Sequence, residues 1–258
     1  MGQAKEILLK PISSVRARSF IMSHHYSHKI VNNSFIHLGV FLRGNLVGAI
    51  QFGPPLDKRK VINLVGGTGW NDFLEINRLV LLDSVPRNSE SRTIAIAIRI
   101  IKNKYPWIKW ILSYADGTQC GDGTIYRAAG FLLIGIKKNS RLYKLQSGEV
   151  SHALNFDPAR PTIAQKKLRS ILKRGTIASS SLLKLGGAEL LVGFQLRYIY
   201  FIDPSCRANL QVPVIPFSEI ENRGAGMYKG KPRARSIEND AATIPGRKGG
   251  CDSHPGAP

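Results

Sequence analysis

The sequence predicts a mixed α/β domain, with a central, mostly antiparallel sheet flanked by helices and followed by a basic C-terminal extension. Three observations carry this. Short apolar runs bounded by Gly, Pro and Asn recur through residues 5–150, at strand rather than helix length. Residues 89–104 form a longer amphipathic segment among them. After Asn155 the composition turns basic, with seven Lys/Arg and no acid between Ala159 and Ala188.

The elements follow in order. Ile7–Ile12 is a short strand, and Ser13 and Ser14 offer N-caps for a helix over Val15–Ser23. That helix delivers His24, His25 and Tyr26 into a loop. Phe35–Leu42 and Leu46–Phe52 flank Arg43-Gly44-Asn45 as a β-hairpin, and Gly53-Pro54-Pro55 stops the second strand. Lys58–Leu64 and Phe73–Leu82 are the next apolar runs, read as strands. Thr93–Ile101 fits both periods, alternating at Ile94, Ile96, Ile98 and Ile100 but also stacking Ile94, Ala97, Ile98 and Ile101 on one helical face. Its length from Ser89 to Lys104, the Ser/Asn/Glu before it and Lys102, Lys104 and Pro106 after it select helix. Trp107–Ala115 is a buried strand, Thr124–Ala129 a short helix stopped by Gly130, and Phe131–Ile136 a further strand. A basic helix is expected at Ile163–Lys173 and a late strand at Gln195–Ile202. The expected divisions are a core over 5–155, a basic helix plus late strand extending it over 156–221, and a basic tail over 222–258, expected to be disordered.

Charge narrows the function. Thirty-seven Lys/Arg against seventeen Asp/Glu give a formal net charge of +20 and a pI near 10.2, a field that attracts polyanions. The expected footprint for nucleic acid is Arg160–Lys184 and the tail through Arg235. Cys120, Cys206 and Cys251 form no C-x-x-C pair, which argues against a disulfide scaffold or zinc ribbon and fits a reducing compartment. The first residues lack the apolar core of a secretion signal, and Ile94–Ile101 and Leu190–Phe194 are too short to span a bilayer. A cytoplasmic protein without membrane contact is expected.

Two local units bear chemistry. Leu74–Leu82, the polar turn Asp83–Arg92 and the following helix make a strand–turn–helix whose N-terminal N–H groups favour an anion; Arg87, Asn88, Ser89, Ser91 and Arg92 supply further donors. Ordinary helix capping explains the same residues. The second unit is Tyr126 ahead of Gly130-Phe131. Arg78 inside an apolar strand requires a partner, for which Glu75 and Asp116 are candidates. Asp116-Gly117 also reads as a simple turn, and Tyr126 as a packed ring.

In order and spacing these units resemble the GNAT acetyltransferase fold, although the turn Arg87-Asn88-Ser89-Glu90-Ser91-Arg92 has no glycine. Together with His25-Tyr26, Glu75-Ile76-Asn77-Arg78-Leu79 and Ser113-Tyr114-Ala115-Asp116 they resemble the Mom family of phage DNA-modification enzymes over residues 20–140. The resemblance implies a GNAT-like transferase that attaches a methylcarbamoyl group to adenine N6 in double-stranded DNA, shielding phage DNA from restriction in the host cytoplasm. It implies catalytic roles for His25, Tyr26, Asp116 and Tyr126 and cofactor binding by Arg78 and the turn from Arg87 to Arg92. It also implies acetyl-CoA or a related acyl donor, and iron, for which His25, Asp116 and Tyr126 offer N and O donors.

Adenine N6 is a weak nucleophile, because its lone pair is delocalised into the ring. Reaction there needs placement, loss of a proton and an activated donor. Asp116 or His25 is expected as base and Tyr26 or Tyr126 as acid. Base flipping is expected, with Tyr26, Trp70 or Tyr114 stacking on the extruded adenine. Two rival readings stay open: an ordinary acetyl-CoA-dependent N-acetyltransferase, and a non-catalytic basic DNA-binding protein.

Overall fold

The computed structural model describes residues 3–153 and 187–233. Its centre is a seven-stranded sheet. In chain order the first strands are β1 (Leu8–Pro11), β2 (Ile36–Leu42), β3 (Asn45–Gly53), β4 (Phe73–Leu81), β5 (Trp110–Asp116) and β6 (Leu132–Lys138). Three small strands follow, β7 (Leu142–Lys144), β8 (Val150–His152) and β9 (Glu189–Leu190), which pair in a separate sheet. Then come β10 (Phe194–Phe201) and the hairpin β11 (Met227–Tyr228) and β12 (Lys231–Pro232). The main sheet runs β1-β2-β3-β4-β5-β10-β6, so the late strand lies between β5 and β6. Every pairing in it is antiparallel except β4 with β5.

Among the described residues the helices are α1 (Ser14–His24), α2 (Ser89–Lys104), α3 (Thr124–Ala128) and α4 (Ser218–Asn222). Ser13 caps α1 by accepting the Arg16 N–H at 3.2 Å. The ambiguous segment is helical, and the buried Ile94, Ala97, Ile98 and Ile101 are its sheet-facing stripe. Each such isoleucine contributes about 1.5–3 kcal/mol of burial, which outweighs the β-preference of branched side chains. Across the sheet Phe73 stacks on Trp110 with centroids 4.2 Å apart, over a second cluster with Val61, Leu64 and Ile199.

Two expectations are corrected. Lys58–Leu64 is not a strand but two single turns of 3₁₀ helix, Lys58–Lys60 and Ile62–Leu64. Asp57 accepts the Arg59 N–H and starts the first turn, and Val61, Leu64 and Val65 are buried at a spacing that alternation cannot produce. The start of the expected tail is also ordered. Ala225 and Met227 are buried, and Tyr228 bridges to Gly121. The basic helix expected at Ile163–Lys173, and the footprint at Arg160–Lys184, lie outside the described residues. No helix among the described residues is long and apolar enough to cross a membrane.

Candidate active site

The parallel ladder between β4 and β5 is short. Phe73, Leu74 and Glu75 pair with Trp110, Ile111 and Leu112, and there it ends, although both strands continue. Beyond Glu75 they part and leave a crevice in mid-sheet. A β-bulge on the other side of β4 sharpens the opening: Gln51 pairs with Arg78 and Phe52 with Ile76, leaving Asn77 as the extra residue. The bulge shifts the alternation by one, so Glu75 and Arg78 share a face.

The segment after α1 crosses this bulge. Asn33 Nδ2 donates to the Pro54 carbonyl at 2.8 Å, Ser34 Oγ to Asn77 Oδ1 at 2.8 Å, and Arg78 Nε to the Lys29 carbonyl at 2.9 Å. Arg78 Nη1 also donates to the Asn77 carbonyl at 2.6 Å. The required partner of Arg78 is thus a pair of carbonyls rather than a carboxylate. The guanidinium still feels Tyr26 and Glu75, which offset its desolvation in part.

His25 and Tyr26 stand at the start of the crossing segment with ring centroids 4.2 Å apart. His25 is buried at 6% exposure. Its Nδ1 accepts the Ser27 backbone N–H at 3.1 Å and lies 2.9 Å from Ser27 Oγ. A lone pair must face that amide, so the ring proton resides on Nε2. Desolvation first, then the Arg78 and His28 charges, lower its pKa from 6.5 to about 4. His25 is therefore a neutral donor. The base role expected for it is not compatible with this tautomer.

Tyr26 is 43% exposed overall, yet its hydroxyl end is desolvated. That desolvation, with Asp116, Cys120 and Tyr126 behind it, raises the phenol pKa. Tyr126 is buried on α3, beside Ser113, and its pKa is pushed up to about 12, chiefly by burial. Both tyrosines are protonated donors at neutral pH. The position of α3 depends on Gly123, whose φ is +85°; a Cβ there would lie 2.5 Å from the Tyr198 ring.

Asp116 ends β5 and acts as the anchor of the next turn. Its Oδ1 accepts the Thr118 and Gln119 N–H groups at 3.0 and 3.3 Å, and Oδ2 accepts Gln119 Nε2 at 2.9 Å. Glu75, named from sequence only as a partner for Arg78, is the carboxylate left in the crevice. It is half-buried, and desolvation raises its pKa from 4.5 to about 7 against the opposing pull of Arg78 and an Asn77 hydrogen bond. The Glu75 charge is felt at the Tyr126 phenol. The signal available in the sequence was an acid within an apolar strand, the same signal that drew attention to Arg78.

The structure brings together Tyr26, Arg78, Asp116 and Tyr126, with His25 joined through Tyr26 and Arg78. The turn expected to bind a cofactor is only partly turned this way. Ser89 is fully buried and donates to the Pro86 carbonyl, Ser91 donates to the Asn88 carbonyl, and Arg92 Nη2 donates to the Lys5 carbonyl at 3.1 Å. Asn88 has φ 68° and makes no side-chain cap. Arg87 is exposed, and the first-turn N–H groups of Glu90 and Ser91 point out of the helix start. Glu90 faces Cys120, whose thiol is pushed up by desolvation, Asp116 and Glu90. Tyr114 is partly buried against the cluster of Phe73 and Trp110, with the Arg197 guanidinium 5.8 Å from its ring.

Iron does not fit the donors expected for it. Asp116 has both oxygens engaged, Tyr126 is buried as a protonated phenol, and His25 has its lone pair on Ser27. Among the described residues no group of three or more His, Cys, Asp and Glu could hold a metal ion.

A family model described as the Mom protein family matches residues 6–219. The protein called methylcarbamoylase mom, from Escherichia phage Mu, is 35% identical over 208 residues, which is 80% of this chain and 80% of that relative. Similar solved structures include an IAA acetyltransferase from Bacillus cereus, 8% identical at TM-score 0.40, covering 76% of this chain and 99% of the other. Spermidine/spermine N-acetyltransferase SpeG from Vibrio cholerae is 8% identical at TM-score 0.41, covering 80% and 98%. At these scores the strand order itself remains the description of the fold.

Proposed function

The chain belongs to the Mom protein family, and from that premise we propose that it is a transferase that attaches a methylcarbamoyl group to adenine N6 in DNA and so shields phage DNA from restriction in the bacterial cytoplasm. The observation that carries this reading is the 35% identity, across four-fifths of both chains, to a methylcarbamoylase. The crevice supports it, because it gathers the donors and the acceptor that alkylation of an exocyclic amine requires.

In this reading adenine is extruded from the duplex and rests against the exposed face of Tyr26. The N6–carbon bond forms at the donor's methylene as the bond from that carbon to its leaving group breaks, the electron pair going with the leaving group, while the N6 proton passes to Glu75, a carboxylate whose pKa near 7 suits a base at neutral pH. His25 Nε2–H holds a ring nitrogen and orients the amine. Arg78 supplies fixed positive charge, and the Tyr126 phenol donates to the departing group. Asp116 positions the loop through its turn bonds. An acyl-CoA, when bound, supplies a two-carbon unit; the groups that would hold its phosphates are Arg87 and the Glu90 and Ser91 N–H groups. Acetyl transfer alone joins nitrogen to a carbonyl carbon, whereas methylcarbamoyl is joined through its methylene, so the donor must carry a leaving group on that carbon as well as an amide nitrogen, and an unsubstituted acetyl-CoA, whose methyl carbon bears only hydrogen, supplies neither.

The test is expression in bacteria, digestion of plasmid DNA to nucleosides and mass spectrometry. The expected result is a deoxyadenosine heavier by one carbamoylmethyl unit, lost in the Glu75→Gln and Tyr126→Phe variants. An unmodified pool from cells holding soluble protein overturns the reading.

A further inference from the structure

One end of the main sheet carries large apolar side chains in water. The register fixes which end: Ile36 pairs with Phe52, Gly53 with Glu75, and Phe73 with Trp110, so the starts of β2, β4 and β5 and the finish of β3 lie side by side. Immediately outside those four points stand Phe35, Leu56, Trp70 and Trp107, exposed by 54%, 95%, 54% and 53%. A soluble surface scatters such residues singly. Here they share one rim.

The rings are held, not loose. Lys58 Nζ donates to the Trp70 carbonyl and to Asn71 Oδ1, and lies 5.1 Å from the Trp70 ring centroid. Tyr105 meets Phe35 edge-on at 6.3 Å and Trp107 at 5.6 Å. Leu56 extends from Pro54-Pro55, and the Pro54 carbonyl is pinned by Asn33 and Asn77. The rim is also cationic, with Arg59 and Lys60 beside Leu56 and Lys102 and Lys104 in the last turn of α2, all exposed. Asp57, Asp72 and Asp203 are acids at this end: Asp57 is engaged by Arg59 and Lys60, Asp72 by Lys109, and Asp203 accepts from Ser205 and feels the Lys109 charge.

Half-exposed rings held in place, Trp70 with Lys58 over its ring and Trp107 met edge-on by Tyr105, and set among cations, match a polyanion with unpaired bases; a paired duplex offers phosphates but no base faces. From Glu75 the rim is roughly 10–15 Å away at about 3.3 Å per strand residue, a few nucleotides at most. We propose that this rim is the DNA-docking surface, on which Trp70 and Trp107 stack unpaired bases beside the extruded adenine. The inference rests on the DNA-modifying reading above and adds the sheet end to the footprint expected from the basic extension.

The chain holds three tryptophans, and Trp110 is fully buried, so fluorescence reports on the rim directly. Full-length protein is titrated with an adenine-containing single-stranded oligonucleotide, with binding followed by anisotropy and tryptophan accessibility by iodide quenching. Stacking shields Trp70 and Trp107 from iodide at saturation. The Trp70→Ala/Trp107→Ala variant binds at least about tenfold more weakly, since one stacked base is worth about 1–3 kcal/mol, while its urea midpoint stays near that of the parent. DNA binding with no shielding and an unchanged affinity in the variant overturns the rim. Shielding that grows with protein concentration in the absence of DNA also overturns it and makes the face an interface between copies. An oligonucleotide that does not bind at all, with no modified nucleoside in cells, sinks the DNA reading itself rather than this surface alone.

Discussion

Where β5 runs out into Gly117–Gly123, buried charge is met by charge; where β5 begins, rings are left in water. At the first end Asp122 is almost fully buried, and its Oδ1 takes Arg127 Nη2 at 3.1 Å and Arg233 Nη2 at 3.3 Å, one from α3 and one from the C-terminal hairpin. The Tyr198 hydroxyl donates to the Asp122 carbonyl in the same cluster. At the second end Trp70 and Trp107 are half-exposed and belong to neither of the two large buried clusters. The difference separates two kinds of constraint. Residues at the first end are held by contacts that satisfy a buried charge, and residues at the second are held outside the buried core.

Substitution tests that division, the largest effect coming first. Asp122→Ala leaves two arginines facing a buried hole and lowers stability by about 3–5 kcal/mol in urea denaturation; a loss under about 1 kcal/mol means the cluster does not hold this end. Gly123→Ala forces a Cβ into Tyr198 at a positive φ and costs about 2–3 kcal/mol. It also displaces Tyr126, so modification should fall more steeply than stability.

The crevice between the two ends answers to pH. Glu75 is raised in the fold from 4.5 to about 7, so the unfolded chain releases its proton first. Stability on this account is full below about pH 4.5 and is lost as pH climbs through 7. Glu75→Gln should therefore stabilise by about 1–2 kcal/mol at pH 8, discounting for partial exposure, and by little at pH 4.5. His25 runs the other way. Its pKa is lowered from 6.5 to about 4, so the unfolded state binds the proton first and stability falls as pH drops from 6.5 towards 4. His25→Gln should flatten that acid limb in urea midpoints measured across the range. The smallest effect belongs to the rim, where Leu56→Ser should change stability by less than about 0.5 kcal/mol; a larger loss means Leu56 is a core residue of some other state.

The strands and helices that bury an apolar stripe were legible in the sequence. The period at Ile94, Ala97, Ile98 and Ile101 and the hairpin across Gly44 and Asn45 emerge as α2 and as β2 with β3. Lys58–Leu64 was misread because an apolar run has no period to separate a strand from successive tight turns. For the site, residue types were legible but roles were not. His25 and Asp116 look like bases until Ser27, Thr118 and Gln119 are seen to hold their lone pairs. Glu75 becomes the available carboxylate only because the ladder stops beside it and the bulge at Asn77 turns Arg78 to its face. Such facts arise from partners distant in the chain, and no local pattern encodes them.

The place of β10 has a consequence for how the protein is made. It pairs on one side with β5 and on the other with β6, yet it leaves the ribosome after both. Until synthesis passes Phe201, each of those strands exposes an edge that the nascent chain cannot cover. Assembly of this half of the sheet must wait for pairs such as Gln195 with Asp116 and Phe201 with Trp110, far apart in the chain, which makes it the slow and aggregation-exposed step of folding. A chain made rapidly and in quantity would meet its greatest hazard in that interval.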